Sequence, residues 1–143
     1  AMDYIRGLQM TVNDEGKKPH IYVTFGEAGA AVMDTSGNLF YQPCIDFPIE
    51  SPFGERVKNT NGCGDAFAGA VAALETADFP TLEILDYASA VGHICSQVGS
   101  AVSADQTPKG VAEFRSRYGS KEIKTYDRPQ QDFIGGVEVK CRF

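Results

Sequence analysis

The chain has 143 residues, 43% of them apolar, with 19 acidic residues against 13 Lys and Arg and a formal net charge of −6. That length suits one domain with a real core and is short for two ordinary ones. The acidic balance, with no basic cluster beyond Lys17-Lys18, argues against nucleic acid as a partner, and no apolar run approaches the ~20 residues that span a bilayer, so no membrane association is expected.

In chain order, the N-terminal "AMDYIRGLQM" has charge breaking its short apolar stretches and no small-residue cleavage site, so no signal peptide is expected there. "HIYVTF" (His20 to Phe25) and "GAAVMD" (Gly29 to Asp34) are β-rich runs separated by a glycine turn. "TSGN" (Thr35 to Asn38) is a hairpin signal leading to a third strand, "LFYQP". A loop from Gln42 to Glu55 follows, and a short strand "RVKN" is expected to feed a second glycine turn at Gly62.

Three helices are expected after that turn. The first places Phe67, Ala70, Val71 and Leu74 at i, i+3, i+4, i+7 among small residues, and the spacing predicts a helix buried nearly all round. The second starts after "FP" with Thr81 as N-cap and carries Ile84, Tyr87, Val91, Ile94 and Val98 as one stripe ending near Gly99. The third covers "PKGVAEFRSRYG", with Pro108 in its first turn and Gly119 past its end. Beyond Ser120 the sequence reads as an irregular tail with one strand at most. Strands followed by helices, with a strand feeding a helix through a glycine turn, predict an α/β fold whose site lies at strand ends.

Cys44, Cys63, Cys95 and Cys141 lie far apart with no C-x-x-C pair and only two histidines beside them, so no metal held by protein ligands is expected and a reducing, cytoplasmic setting fits best. Cys44, Cys95 and Cys141 read as buried or incidental thiols, and His93 as a packed histidine within its helix.

The segment that carries chemistry is "NTNGCGDAFAGA". A helix N-terminus exposes unpaired amides and partial positive charge, and flanking glycines let an anion approach the backbone. Gly62, Cys63 and Gly64 supply such a nest, and Asp65 behind them can take a proton from an attacking hydroxyl. The plainer reading is that Asp65 is a cap or a partner of the helix dipole. Two glycines that a cap does not need favour the first. The turn lacks the Lys-Ser or Lys-Thr of a phosphate loop. A thiol at this place, Cys63, is expected to have a lowered pKa and to be reactive.

These residues resemble the second signature, D-T-x-G-A-G-D-x-F, of the ribokinase-like (pfkB) carbohydrate and nucleoside kinases. "VTFGEAGA" (Val23 to Ala30) is similar to that family's T-x-G-x-x-G segment, and "LDYASAVGHICSQVGSAVS" resembles the helix bordering its adenine pocket. The resemblance runs from about Lys18 to Ala112. It implies the C-terminal, ATP-side part of a three-layer α/β/α kinase, with a nucleotide-binding portion at 1–119 and a tail at 120–143. It implies ATP and Mg2+ as cofactors, a small-molecule alcohol as acceptor and a homo-oligomer as one outcome. By position, Asp65 would be the catalytic base and the amides of Gly62, Cys63 and Gly64 the anion hole. Thr24, Gly26, Glu27 and Gly29 would lie along the ATP phosphates and Ser89 at the adenine side. Asn59 and Asn61 would stand where a monovalent cation is held, Asn59 replacing the usual Asp. The family's N-x-x-E motif and its acceptor-binding first half find no match; "NDEG" (Asn13 to Gly16) has Gly in the fourth place. Transfer of the ATP γ-phosphoryl group to a sugar hydroxyl is the expected reaction. A nucleoside acceptor and a non-catalytic nucleotide-binding or oligomerising module remain as alternatives.

Overall fold

The β-branched and aromatic runs of the first third form a meander. β1 (Ile21–Thr24), β2 (Ala30–Met33) and β3 (Leu39–Gln42) pair antiparallel in that order, with Ile21 opposite Met33 and Met33 opposite Leu39. In the computed structural model, residues 19–45, 59–98, 102–126, 133–134 and 137–138 are described. The chain divides into two units, one made of Ala1–Pro43 with Glu122–Phe143 and the other of Cys44–Lys121.

In the first unit β4 (Lys124–Tyr126) closes the sheet along β3, giving a four-stranded antiparallel sheet in the order β1-β2-β3-β4. A separate antiparallel pair is formed by β5 (Phe133–Ile134) and β6 (Val137–Glu138). The tail thus holds three short strands where at most one is expected, because the backbone of β3 offers a ladder to any nearby extended segment and Thr125 and Tyr126 favour one. Alternation along the strands puts Ala31, Met33, Leu39 and Tyr41 on one face, with Ile21, Val23, Phe25 and Tyr126 packed against them. The β2–β3 turn is held by Asp34, whose Oδ1 accepts from the amides of Ser36 (2.9 Å) and Asn38 (2.8 Å), with Gly37 at φ 85°.

The second unit is helical among its described residues: α1 (Cys63–Thr76), α2 (Thr81–Ser96) and α3 (Pro108–Tyr118). Arg56 to Lys58 of the expected strand before the turn lie outside the described residues, as does most of the loop before them, and Asn59 is in no strand. Ala90, Val91 and Ile94 of α2 join Val111 and Phe114 of α3 in one core, and Ala66, Ala70, Tyr87, Tyr118 and Ile45 flank it.

Two expectations are corrected here. α1 is not buried nearly all round: Phe67 alone is fully buried, while Gly64, Asp65, Ala68, Gly69, Ala72 and Ala73 are exposed. Small residues permit close approach, but burial also needs an opposing surface, and within this unit α1 meets one only along its Phe67 side. Nor is Thr81 the N-cap of α2. Pro80 holds that place, with φ −60° and ψ 137°, and its carbonyl accepts the Ile84 amide at 3.0 Å. α3 follows its signals: Thr107 caps it by accepting from the Gly110 amide at 3.1 Å, Pro108 is its first residue, and Gly119 ends it at φ 72°.

Candidate functional site

The start of α1 is built by its glycine. Gly62 sits at φ 80° and ψ −7°, a left-handed conformation that side chains disfavour, and this turns the chain into the helix. The Cys63 amide is taken by the Thr60 carbonyl at 3.3 Å, and the Gly62 carbonyl receives the Ala66 amide at 2.8 Å. The amides of Gly64 and Asp65, in the first turn where no intrahelical acceptor exists, have no partner among the described residues. Gly64 is exposed, and a Cβ built on it meets nothing within 4 Å. Two amides without a described partner therefore stand at the positive end of a helix, on exposed residues.

Asp65 stands beside them. It is exposed, and no hydrogen bond joins its carboxylate to the helix or to any other described residue. A carboxylate serving as a cap would accept from a backbone amide of the same turn.

The turn is tied to α2 by three contacts. The Asn59 amide donates to the Ser96 carbonyl at 3.3 Å, the Cys95 thiol donates to the Asn61 carbonyl at 3.8 Å, and Gly92 lies where a Cβ would be 3.5 Å from the Cys63 carbonyl. Asn59 Oδ1 accepts the Asn61 amide at 3.0 Å. Cys63 corrects a chemical expectation, that of a lowered pKa. Burial first, and then the neighbouring Cys95 thiol, push its pKa up from 9.0 to about 11. Loss of hydration and a second sulfur outweigh the helix terminus, so this thiol is protonated at neutral pH.

Ser89, on α2, has a buried Oγ with no partner among the described residues, and its carbonyl accepts from His93 Nδ1 at 2.6 Å. On the other side of the ring, Nε2 takes the Ile45 amide at 3.1 Å and lies 3.0 Å from Cys44 Sγ. Since the Ile45 N–H can only donate, the ring proton belongs on Nδ1. His93 is thus a clasp between α2 and the segment at 44–45, a role that sequence reading missed: 48 residues separate His93 from Ile45, and no local pattern links them.

Burial lowers the His93 pKa below 6.5. The unfolded histidine therefore takes up its proton at a higher pH than the folded one. Its contribution to stability is complete above pH 6.5 and is lost as pH falls through that value toward the folded pKa. His93→Gln is expected to flatten the fall of the urea midpoint between pH 7.5 and 5.5, and a slope identical to the parent's would show that His93 does not titrate with unfolding.

Thr24, Gly26, Glu27 and Gly29 belong to the first unit. Thr24 ends β1 and is exposed; Gly26 and Glu27 are exposed in a 3₁₀ turn, Gly26–Ala28. Gly26 at φ 59° and Gly29 at φ 106° both need glycine, and the Phe25 amide closes the turn on the Gly29 carbonyl at 2.8 Å. The Tyr41 hydroxyl donates to the Ala28 carbonyl and supports the turn from β3. The structure thus gathers Asn59, Asn61 and Gly62 to Asp65 in one turn, with Ser89 in the same unit, and gathers the other four in a turn of the first unit.

A family model for the pfkB family of carbohydrate kinases matches residues 6–108. The chain belongs to the pfkB family. No curated protein matches this pfkB chain in sequence. Among solved structures it is similar to a protein described as a putative sugar kinase from Clostridium perfringens, with a TM-score of 0.63 and 14% identity over 89% of this chain. A likeness at that identity establishes the fold, which is ribokinase-like and mixed α/β with an antiparallel sheet. The pfkB chain spans 36% of that protein's length. Among the described residues no group of three or more His, Cys, Asp and Glu side chains could hold a metal ion, and no helix is long and apolar enough to cross a membrane.

Proposed function

We propose that this chain is the nucleotide side of an ATP-dependent kinase acting on a sugar hydroxyl, with residues 1–119 as the nucleotide-binding portion. The observation that carries the reading is the first turn of α1, where two amides and a carboxylate without a described partner, those of Gly64 and Asp65, stand together on exposed residues. The amides hold the transferred phosphoryl group and offset the charge that develops on it. The Asp65 carboxylate orients the acceptor hydroxyl and removes its proton. Thr24 and the Gly26–Gly29 turn contact the nucleotide phosphates, and Ser89 lies at the base. The acceptor is a small alcohol, and the absence of a disulfide at Cys44, Cys63 and Cys95 suits a reducing, cytoplasmic setting.

Magnesium supplies charge neutralisation on the phosphates when bound. The described residues hold no ligand cluster, and from this chain's side it would be held through nucleotide oxygens and water, as suits a hard cation that keeps its hydration. Asn59 and Asn61 are the positions at which a monovalent cation would be held; Asn59 Oδ1 accepts the Asn61 amide and the Asn61 carbonyl receives the Cys95 thiol, each keeping a second lone pair.

Gly64→Val tests the nest. The position is open and lies outside the left-handed region, so the fold accepts a branched side chain that nevertheless covers the amides. Affinity for a non-hydrolysable ATP analogue is expected to fall about tenfold or more, equivalent to about 1.4 kcal/mol, with the thermal melt unchanged. Unaltered affinity in the folded variant would defeat the reading.

A further inference from the structure

One of the three contacts that tie the glycine turn to α2 is made by a sulfur, that of Cys95, and a second sulfur, that of Cys63, follows the same turn. Cys63 is the first residue of α1 and Cys95 lies in the last turn of α2, 32 residues away in sequence, and the Cys95 thiol neighbours that of Cys63. Each also points at a carbonyl of the turn, Cys63 at Asn59 O and Cys95 at Asn61 O, both at 3.8 Å. Gly92, one helical turn before Cys95, lets the α2 backbone come against Cys63 O, and the Asn59 amide holds the other side on Ser96. The two sulfurs are thereby drawn to carbonyls two residues apart in one turn, and neither cysteine is in a disulfide. A disulfide requires Cβ atoms about 3.5–4.5 Å apart and sulfurs at about 2.05 Å. Two neighbouring thiols that reach carbonyls of one turn need their side chains to rotate toward each other to reach that geometry.

We propose that Cys63 and Cys95 form a redox-sensitive pair, which a small-molecule disulfide such as oxidised glutathione converts to an intramolecular disulfide stapling the first turn of α1 to α2. Cys63 is partly exposed and Cys95 is fully buried, so Cys63 meets the oxidant first. Its thiolate attacks one sulfur of R–S–S–R, forming a Cys63–S–S–R mixed disulfide and releasing RS⁻. The Cys95 sulfur, on losing its proton, attacks Cys63 Sγ; the Cys63–Cys95 bond forms, the bond to R breaks and a second RS⁻ leaves. The two protons of the protein thiols end on the two departing thiolates, so one R–S–S–R is reduced to two R–SH as the cysteine pair is oxidised.

The titratable groups facing Cys63 are Cys95 of α2 and Cys44 of the segment before the turn. With Cys63 titrating near 11, the rate of cross-linking rises about tenfold per pH unit through neutrality, because only the thiolate attacks. Cys44 does not take part: its sulfur lies 3.0 Å from His93 Nε2.

The test is made on the full chain without substitution. The reduced protein is incubated with oxidised glutathione at pH 7 and pH 8, trapped with an alkylating agent and mapped by non-reducing peptide mass spectrometry. The expected result is a cross-linked peptide joining Cys63 to Cys95, with Cys44 alkylated, reversal by dithiothreitol and about tenfold faster formation at pH 8. Cys44→Ser should cross-link as the parent does, while Cys95→Ser should stop at a glutathione adduct on Cys63. A native protein in which no cross-link forms, in which Cys63 carries glutathione that Cys95 never displaces, or in which the product joins Cys44, would overturn the proposal.

Discussion

Asp65→Asn is expected to lower turnover by about 10²-fold or more while leaving the thermal melt and ATP-analogue affinity as they were. The carboxylate is exposed in the first turn of α1 and makes no hydrogen bond with a described residue, so its loss removes no structural contact. Asparagine keeps the size and the ability to cap a helix but cannot accept a proton from the acceptor hydroxyl. The measurement is steady-state turnover with ATP, magnesium and a panel of sugars, made on the kinase as encoded in full by its gene. Near-normal turnover in the variant would reduce Asp65 to a negative charge at a helix N-terminus.

Gly110→Ala is expected to destabilise the second unit by about 2–3 kcal/mol, the scale of overpacking a site that cannot yield. The sign is the informative part, since replacing glycine by alanine inside a helix ordinarily gains about 1 kcal/mol. At Gly110 the added Cβ would collide with the Asp105 carbonyl oxygen and stand 2.8 Å from its carbon, which is backbone and cannot rotate aside. The turn is pinned as well: the Asp105 carbonyl accepts the Thr107 amide at 2.8 Å, and the Asp105 amide donates to Oγ of buried Ser103 at 3.2 Å. Moving Asp105 away pulls on Thr107, whose hydroxyl caps α3 through the amide of Gly110 itself. Urea unfolding midpoints of parent and variant decide the matter, and a variant more stable than the parent would show that the turn gives way without cost.

The parts of the site legible in the sequence are those made by the local backbone. Gly26, Gly29 and Gly62 are all at positive φ, and each stands where strand-turn or turn-helix punctuation calls for glycine. Thr107, Pro108 and Gly119 bound α3 as their types predict. Thr81 was one residue off because proline in an extended conformation also serves as the half-turn before a helix, and the two placements satisfy the same sequence. The exposure of Ala68, Gly69, Ala72 and Ala73 was misread because a run of small residues records what a helix could pack against and does not record whether that surface is supplied.

The family was legible in the sequence alone, because G-C-G-D at the start of an apolar helix and a T-x-G-x-x-G turn before it are short patterns whose geometry is set within three or four residues. Only the tertiary structure decided which amides remain open. The Cys63 amide is used by Thr60, those of Gly64 and Asp65 have no described partner, and the turn that carries them is drawn onto Ser96 and Cys95 of α2. It also decided that Cys63 is protonated, that its thiol neighbours that of Cys95, and that His93 clasps Ile45 and Cys44. Hydration and charge at an atom are properties of everything within a few ångströms of it, and here those neighbours come from 32 to 49 residues along the chain.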